Sequence, residues 1–226
     1  MSLQTLITAH ESATFDNAPS GFVLSTAAEG AGRIYEFVGE QPLTGTGTAG
    51  TIVNANNRGG VTLSPSSSAV AGLATPQANL DTAKVWAVEV KVAKADVSAG
   101  QYFFGVSAAN ATVSSSSPLS ANVVVANSAG FYINSGDLDA VVPTSKAGSG
   151  NQVDKASVGI SAGEYVRLGI KNDPNDRGLR FFVDGNEVAQ ESTAVPANGT
   201  LLRVIIGGLA NGGDVDCDYV AVAIKR

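Results

Sequence analysis

The chain has 226 residues, 15% of them charged against about 25% in an average soluble protein, with 26 glycines and a 44% hydrophobic share spread along its length. That composition is poor in helix formers and rich enough in apolar side chains for a sizeable core, which excludes a disordered segment and points to one domain. A net charge of −6 and a sequence pI near 4.7 exclude phosphate-directed binding of nucleic acid, which needs clustered Lys and Arg.

Along the chain, apolar residues recur with period two in short runs separated by Gly, Asn, Asp, Ser and Pro, the pattern of β-strands. Residues 1–20 have weak periodicity and are expected to form an N-terminal arm, followed by a sandwich over 21–226. The spacing predicts strands at 21–25, 33–38, 51–54, 61–64, 85–92, 102–107, 123–126 and 131–134, with a short helical turn at 76–81. In the 85–92 run, Trp86, Val88, Val90 and Val92 are expected in the core and Ala87, Glu89 and Lys91 on a solvated face. Residues 114–118, a serine run ending in Pro118, read as a polar loop. Two hairpins follow. Residues 165–171 and 179–183 flank the turn-forming Asp173-Pro174-Asn175-Asp176, and Asp184-Gly185 predicts a two-residue type I′ turn, both of whose central residues take positive φ. Runs at 201–206 and 219–224 close the series. A dozen short antiparallel strands imply a sandwich or barrel.

The single cysteine, Cys217, rules out an internal disulfide and thiolate metal clusters. No stretch reaches the roughly 18 apolar residues of a membrane-spanning helix. No Lys or Arg precedes Arg33, so a secretory signal is not expected and synthesis is expected in the cytoplasm.

Motifs for chemistry are few. GISAG at 159–163 matches the nucleophile pattern G-x-S-x-G around Ser161. However, a strand rather than a helix is expected after it, and the only histidine, His10, precedes it. GTGTAG at 45–50 matches G-x-G-x-x-G without a βαβ context. A glycosidase needs two carboxylates about 5 to 10 Å apart; Glu36, Glu89 and Glu164 are the first candidates for such a pair, against the plainer reading of solvated strand faces. Asp214, Asp216 and Asp218 alternate, so an extended segment would align them on one face as a weak candidate cation site; otherwise one caps backbone amides and the others face water. The adjacent pairs Phe103/Phe104 and Phe181/Phe182 place one ring on each side of a sheet, so one of each pair is expected to meet solvent or a partner. Trp86, Tyr102, Phe131 and Tyr132 join them as material for a core or a sugar-stacking platform. Asn110-Ala111-Thr112 and Asn198-Gly199-Thr200 are glycosylation sequons, uninformative outside a eukaryotic secretory route.

Residues 75–226 resemble the concanavalin A-like lectin/glucanase superfamily in its laminin-G-like form, common in proteins of tailed-bacteriophage particles. The resemblance rests on VWAVEVKV with QYFFGVSAAN, on EYVRLGIKNDPNDRGLRFFVDGNEVA and on RVIIGGLANGGDVDCDYVAVAI. It implies an all-β jelly roll. It places Asp218 where the family often has a strand-tying Asp, while the family's metal, sugar and catalytic residues are not recognisable. With the composition, it implies a non-enzymatic virion protein without cofactor. The specific expectation is a capsid decoration protein on the shell exterior, binding the major capsid protein as a homo-oligomer, with a trimer favoured and the arm as clasp. The alternative is a lectin-like module or adhesin that binds surface glycans. Neither reading involves nucleic acid or membrane.

Overall fold

The computed structural model describes residues 30–36, 44–46, 51–54, 61–65, 71–75, 80–94, 101–108, 119–120, 123–134, 137–161, 163–176, 178–209 and 214–225. The expected arm at 1–20, the strand at 21–25 and the serine loop at 114–118 lie outside them. Among the described residues the chain forms nineteen strands and no helix. The first nine are β1 (Gly30–Glu36), β2 (Thr44–Thr46), β3 (Thr51–Asn54), β4 (Val61–Ser64), β5 (Ala71–Ala74), β6 (Leu80–Asp81), β7 (Trp86–Lys94), β8 (Gln101–Ala108) and β9 (Leu119–Ser120). There follow β10 (Val123–Val124), β11 (Ser128–Asn134), β12 (Asp137–Lys146), β13 (Gln152–Asp154), β14 (Val158–Gly159) and β15 (Val166–Asp173). The last are β16 (Gly178–Val183), β17 (Asn186–Glu191), β18 (Leu201–Leu209) and β19 (Val215–Lys225).

They build an antiparallel sandwich, as the pattern predicted. One sheet has the order β17-β16-β15-β7-β19-β4-β3, with β1 taking over from β4 along the second half of β19. The other has the order β13-β12-β11-β8-β18-β5-β2, with β14 also on β12 and β6 also on β18. The alternation in β7 and β15 is realised: Trp86, Val88, Val90 and Val92 join Val166, Leu168 and Ile170 in the main core. Tyr102, Phe104, Phe131, Val204 and Ile206 face them from the second sheet, and the Phe131 and Phe181 rings meet edge to face at 5.7 Å. Asp184 and Gly185 have φ of 48° and 83°, the turn that their residue types predicted.

Several expectations are corrected. The outward face of β7 is solvated only at Lys91: Ala87 and Glu89 are fully buried, and Glu89 tolerates this because the Tyr219 hydroxyl donates to it at 2.6 Å. The outward rings are also covered within the chain. Phe103 packs with Ala74, Val124, Tyr132 and Ile205 in a second cluster on the outer side of its sheet, and Phe182 is buried on the outer side of the other. Leu80 and Asp81 of the expected helical turn are extended instead, because Leu80 pairs with Leu202 of β18.

The second cluster is tied down by polar bonds. Val124 N–H donates to Gln152 Oε1 at 2.6 Å, and Asp154 accepts from the Thr144 hydroxyl at 2.6 Å and from Tyr132 at 3.1 Å. Burial and the nearby Asp154 carboxylate push the Tyr132 phenol up to about 12.

Candidate functional site

The inward series of β15 runs Val166, Leu168, Ile170 and then Asn172, a polar residue at a core position. Asn172 is 1% exposed and uses both amide hydrogens, donating to the Thr82 carbonyl at 3.1 Å and the Lys84 carbonyl at 2.7 Å. Its Oδ1 has no donor among the described residues. Asn172 forms the floor of a groove of about 420 Å³ at one end of the sandwich. The other described lining residues are Thr82, Pro174, Gly178, Ser192, Val195, Pro196 and Asn198, none of them charged.

Each wall has a local cause. After Asp173 the chain turns: Asp176 N–H donates to the Asp173 carbonyl at 3.1 Å and Asn175 N–H to Asp173 Oδ1 at 3.0 Å, which sets Pro174 at the rim. Gly178 restarts the next strand at φ 78°. A Cβ there would stand 2.8 Å from the Glu191 carbonyl oxygen and 3.1 Å from Val195 Cγ2, so glycine keeps the wall close. Glu191 then locks the third segment. Its carboxylate is 4% exposed, pairs with Lys155 Nζ at 2.6 Å, and accepts from the Thr193 hydroxyl at 2.6 Å and Ala194 N–H at 2.9 Å. Burial alone would raise its pKa. The Lys155 ammonium and the hydrogen bonds from Thr193 and Ala194 outweigh it and hold the group down at about 2. Thr82 closes the assembly, donating its hydroxyl to the Ala197 carbonyl at 2.6 Å and accepting from Thr200 N–H at 2.9 Å.

The groove therefore offers a buried amide acceptor, exposed hydroxyl and carboxamide groups at Ser192 and Asn198, and apolar patches from Pro174, Val195 and Pro196. Its size falls in the range of small-molecule sites, roughly 300–1,000 Å³. Such a lining suits an uncharged ligand with hydroxyls on its edges and C–H faces between them.

The described carboxylates and the serine singled out in the sequence as candidates for chemistry do not line this groove. Glu89 is buried against Tyr219, whose phenol is raised by burial and by that carboxylate. Glu36 is paired in backbone register with Tyr219, two strands from Glu89. Glu164 is exposed and lines a separate groove of about 280 Å³ with Ser161, Tyr165 and Asp184. A strand follows Ser161, as expected, and His10 is outside the described residues.

The acidic triplet is divided among partners: Asp214 is exposed, Asp216 accepts from the Thr62 hydroxyl, and Asp218 pairs with Lys91 at 2.7 Å. Among the described residues no three His, Cys, Asp or Glu side chains group to hold a metal ion. Asp218 is the extra residue of a bulge, since Cys217 opposes Val92 and Tyr219 opposes Lys91. The bulge shifts the phase of β19, so that Val215 and Cys217 before it and Val220 and Val222 after it all face the core.

Neither a protein-family model nor a curated protein sequence matches the chain. Solved structures do match in fold. The carbohydrate recognition domain of Emp47p aligns over 89% of this chain and 100% of its own, with a TM-score of 0.63 and 10% identity. The endo-1,3-β-glucanase of Streptomyces sioyaensis aligns over 92% and 99%, with a TM-score of 0.58 and 13% identity. The β-glucanase of Bacillus licheniformis aligns over 89% and 100%, with a TM-score of 0.58 and 12% identity. The architecture is thus an all-β, antiparallel jelly-roll sandwich of the concanavalin A-like form.

Proposed function

We propose that this jelly roll is a non-catalytic, lectin-like module that binds neutral glycan in the groove floored by Asn172. The observation that carries the reading is the buried Asn172 carboxamide, whose Oδ1 is left over in a groove whose described lining residues are all uncharged. A sugar hydroxyl donating to that oxygen replaces water at little cost, and sugar C–H faces bury apolar area against Pro174, Val195 and Pro196. Structural likeness to a carbohydrate recognition domain supports the same reading.

The chain carries its own reporter. Trp86 is the single tryptophan, is fully buried, and lies opposite Asn172 in the β7–β15 ladder. Titration with a panel of neutral oligosaccharides is expected to give a saturable change in Trp86 fluorescence. Ser192→Ala and Asn198→Ala, both at exposed rim positions, should each weaken binding about threefold to tenfold, the loss of one net hydrogen bond. A flat response across the panel would remove the glycan reading.

The second reading, a capsid decoration protein on a virion shell, draws on the low-charge composition and on the family resemblance. Mass spectrometry of source particles decides it: copies near-stoichiometric with the major capsid protein would support it, and absence from the particles would end it.

A further inference from the structure

Asn198 and Gly199 are the central residues of the turn 197–200, closed by Thr200 N–H donating to the Ala197 carbonyl at 3.0 Å. Both are exposed. Gly199 has φ 82°, a left-handed conformation that glycine takes without strain, and nothing lies within 4 Å of the position a Cβ would occupy. Its N–H has no acceptor among the described residues. A backbone nitrogen with no acceptor among the described residues therefore sits next to a solvated side-chain amide, in a turn with open space beside the glycine α-carbon.

We propose that Asn198 is a self-modifying position, at which the Gly199 nitrogen displaces ammonia from the Asn198 side chain. Hydroxide removes the Gly199 amide proton, and the nitrogen attacks Asn198 Cγ. A C–N bond forms to close a five-membered imide, while the Cγ–Nδ2 bond breaks and its nitrogen leaves with a proton from water as ammonia. Water then adds to one imide carbonyl. Opening at Cγ leaves an ordinary aspartate at this position, and opening at the main-chain carbonyl leaves isoaspartate. One water enters, one ammonia leaves, and nothing is oxidised or reduced. The product places a carboxylate at the rim of a groove whose described lining side chains are uncharged.

The hairpin turn at Asp184-Gly185 shows the contrast. Asp184 also precedes a glycine in a turn, but it is already a carboxylate, which the nitrogen attacks poorly, and its Oδ1 accepts the Arg167 N–H at 2.9 Å. Of these two turns, only 198–199 carries an amide leaving group.

This inference does not depend on what the groove binds. The full-length chain would be incubated in mildly alkaline and in acidic buffer, digested and mapped by mass spectrometry, beside the same chain unfolded in urea. The Asn198 peptide is expected to gain acid and isoaspartate forms, faster in alkali, at a rate within about threefold of the unfolded chain, because the native turn needs no opening. Asn198→Gln, which would have to close a larger ring, should stay unconverted. The Asn211-Gly212 peptide of the unfolded chain serves as the positive control. Protection of Asn198 in the folded chain by about tenfold or more, the mark of a turn that must open first, would overturn the proposal.

Discussion

Gly105→Ala should lower stability by about 3 kcal/mol and sharply reduce the yield of folded chain. Gly105 of β8 lies directly opposite Gly130 of β11. A Cβ on Gly105 would stand 2.3 Å from the Ala129 carbonyl oxygen and 2.6 Å from Gly130 Cα, with Phe103 Cζ at 3.0 Å. The two glycines thus leave a bare patch of backbone against which the Phe103 ring lies in the second cluster. Two of the three contacts are with backbone, so the sheet itself must move to admit the methyl. Adding Phe103→Ala should therefore not restore stability, and urea denaturation of the single and double variants checks this. Recovery in the double variant would show that the ring alone was the obstacle.

The second large effect depends on pH. Glu191→Gln, which copies the protonated carboxyl, is expected to cost about 3 kcal/mol at neutral pH, from a carboxylate held at about 2 against an ordinary 4.5. The folded pKa is depressed, so the stabilisation is complete above the unfolded value and is lost as pH falls from about 4.5 through about 2. The gap between wild type and variant should close over that window and be small at its lower end. Urea midpoints at several pH values measure it, and a gap independent of pH would mean that the Lys155 pair contributes nothing through charge.

The sandwich was legible where side chains alternate without interruption. β7 and β15 show their inward sets directly, and Asp184-Gly185 announces its turn because few residue pairs accept two positive φ angles. β12 was missed because it contains Pro143, which argues against a strand. Pro143 fits because β14 pairs only with Ala140 and Val141 and β13 only with residues 144–146, so it falls in the gap between them. The bulge at Asp218 had a readable signal in the change of apolar parity from Val215 and Cys217 to Val220, Val222 and Ile224. The site was harder. Asn172 continues the inward parity of β15, and a polar residue in that register is a clue. Its burial, however, is supplied by Thr82 and Lys84, about 90 residues away in sequence, and no local pattern reports that.

The divided edge beside β12 also bears on how crowded the molecule can become. An unbroken row of unpaired backbone groups on an outer strand invites the strand of another copy to add to it, and repetition of that step builds fibres. Here the side of β12 is shared by strands of three and two residues, interrupted at a residue that has no N–H to give. An incoming chain finds no template longer than a few residues there. Dense packing of many copies, on a surface or in a concentrated solution, can proceed along that side without runaway polymerisation.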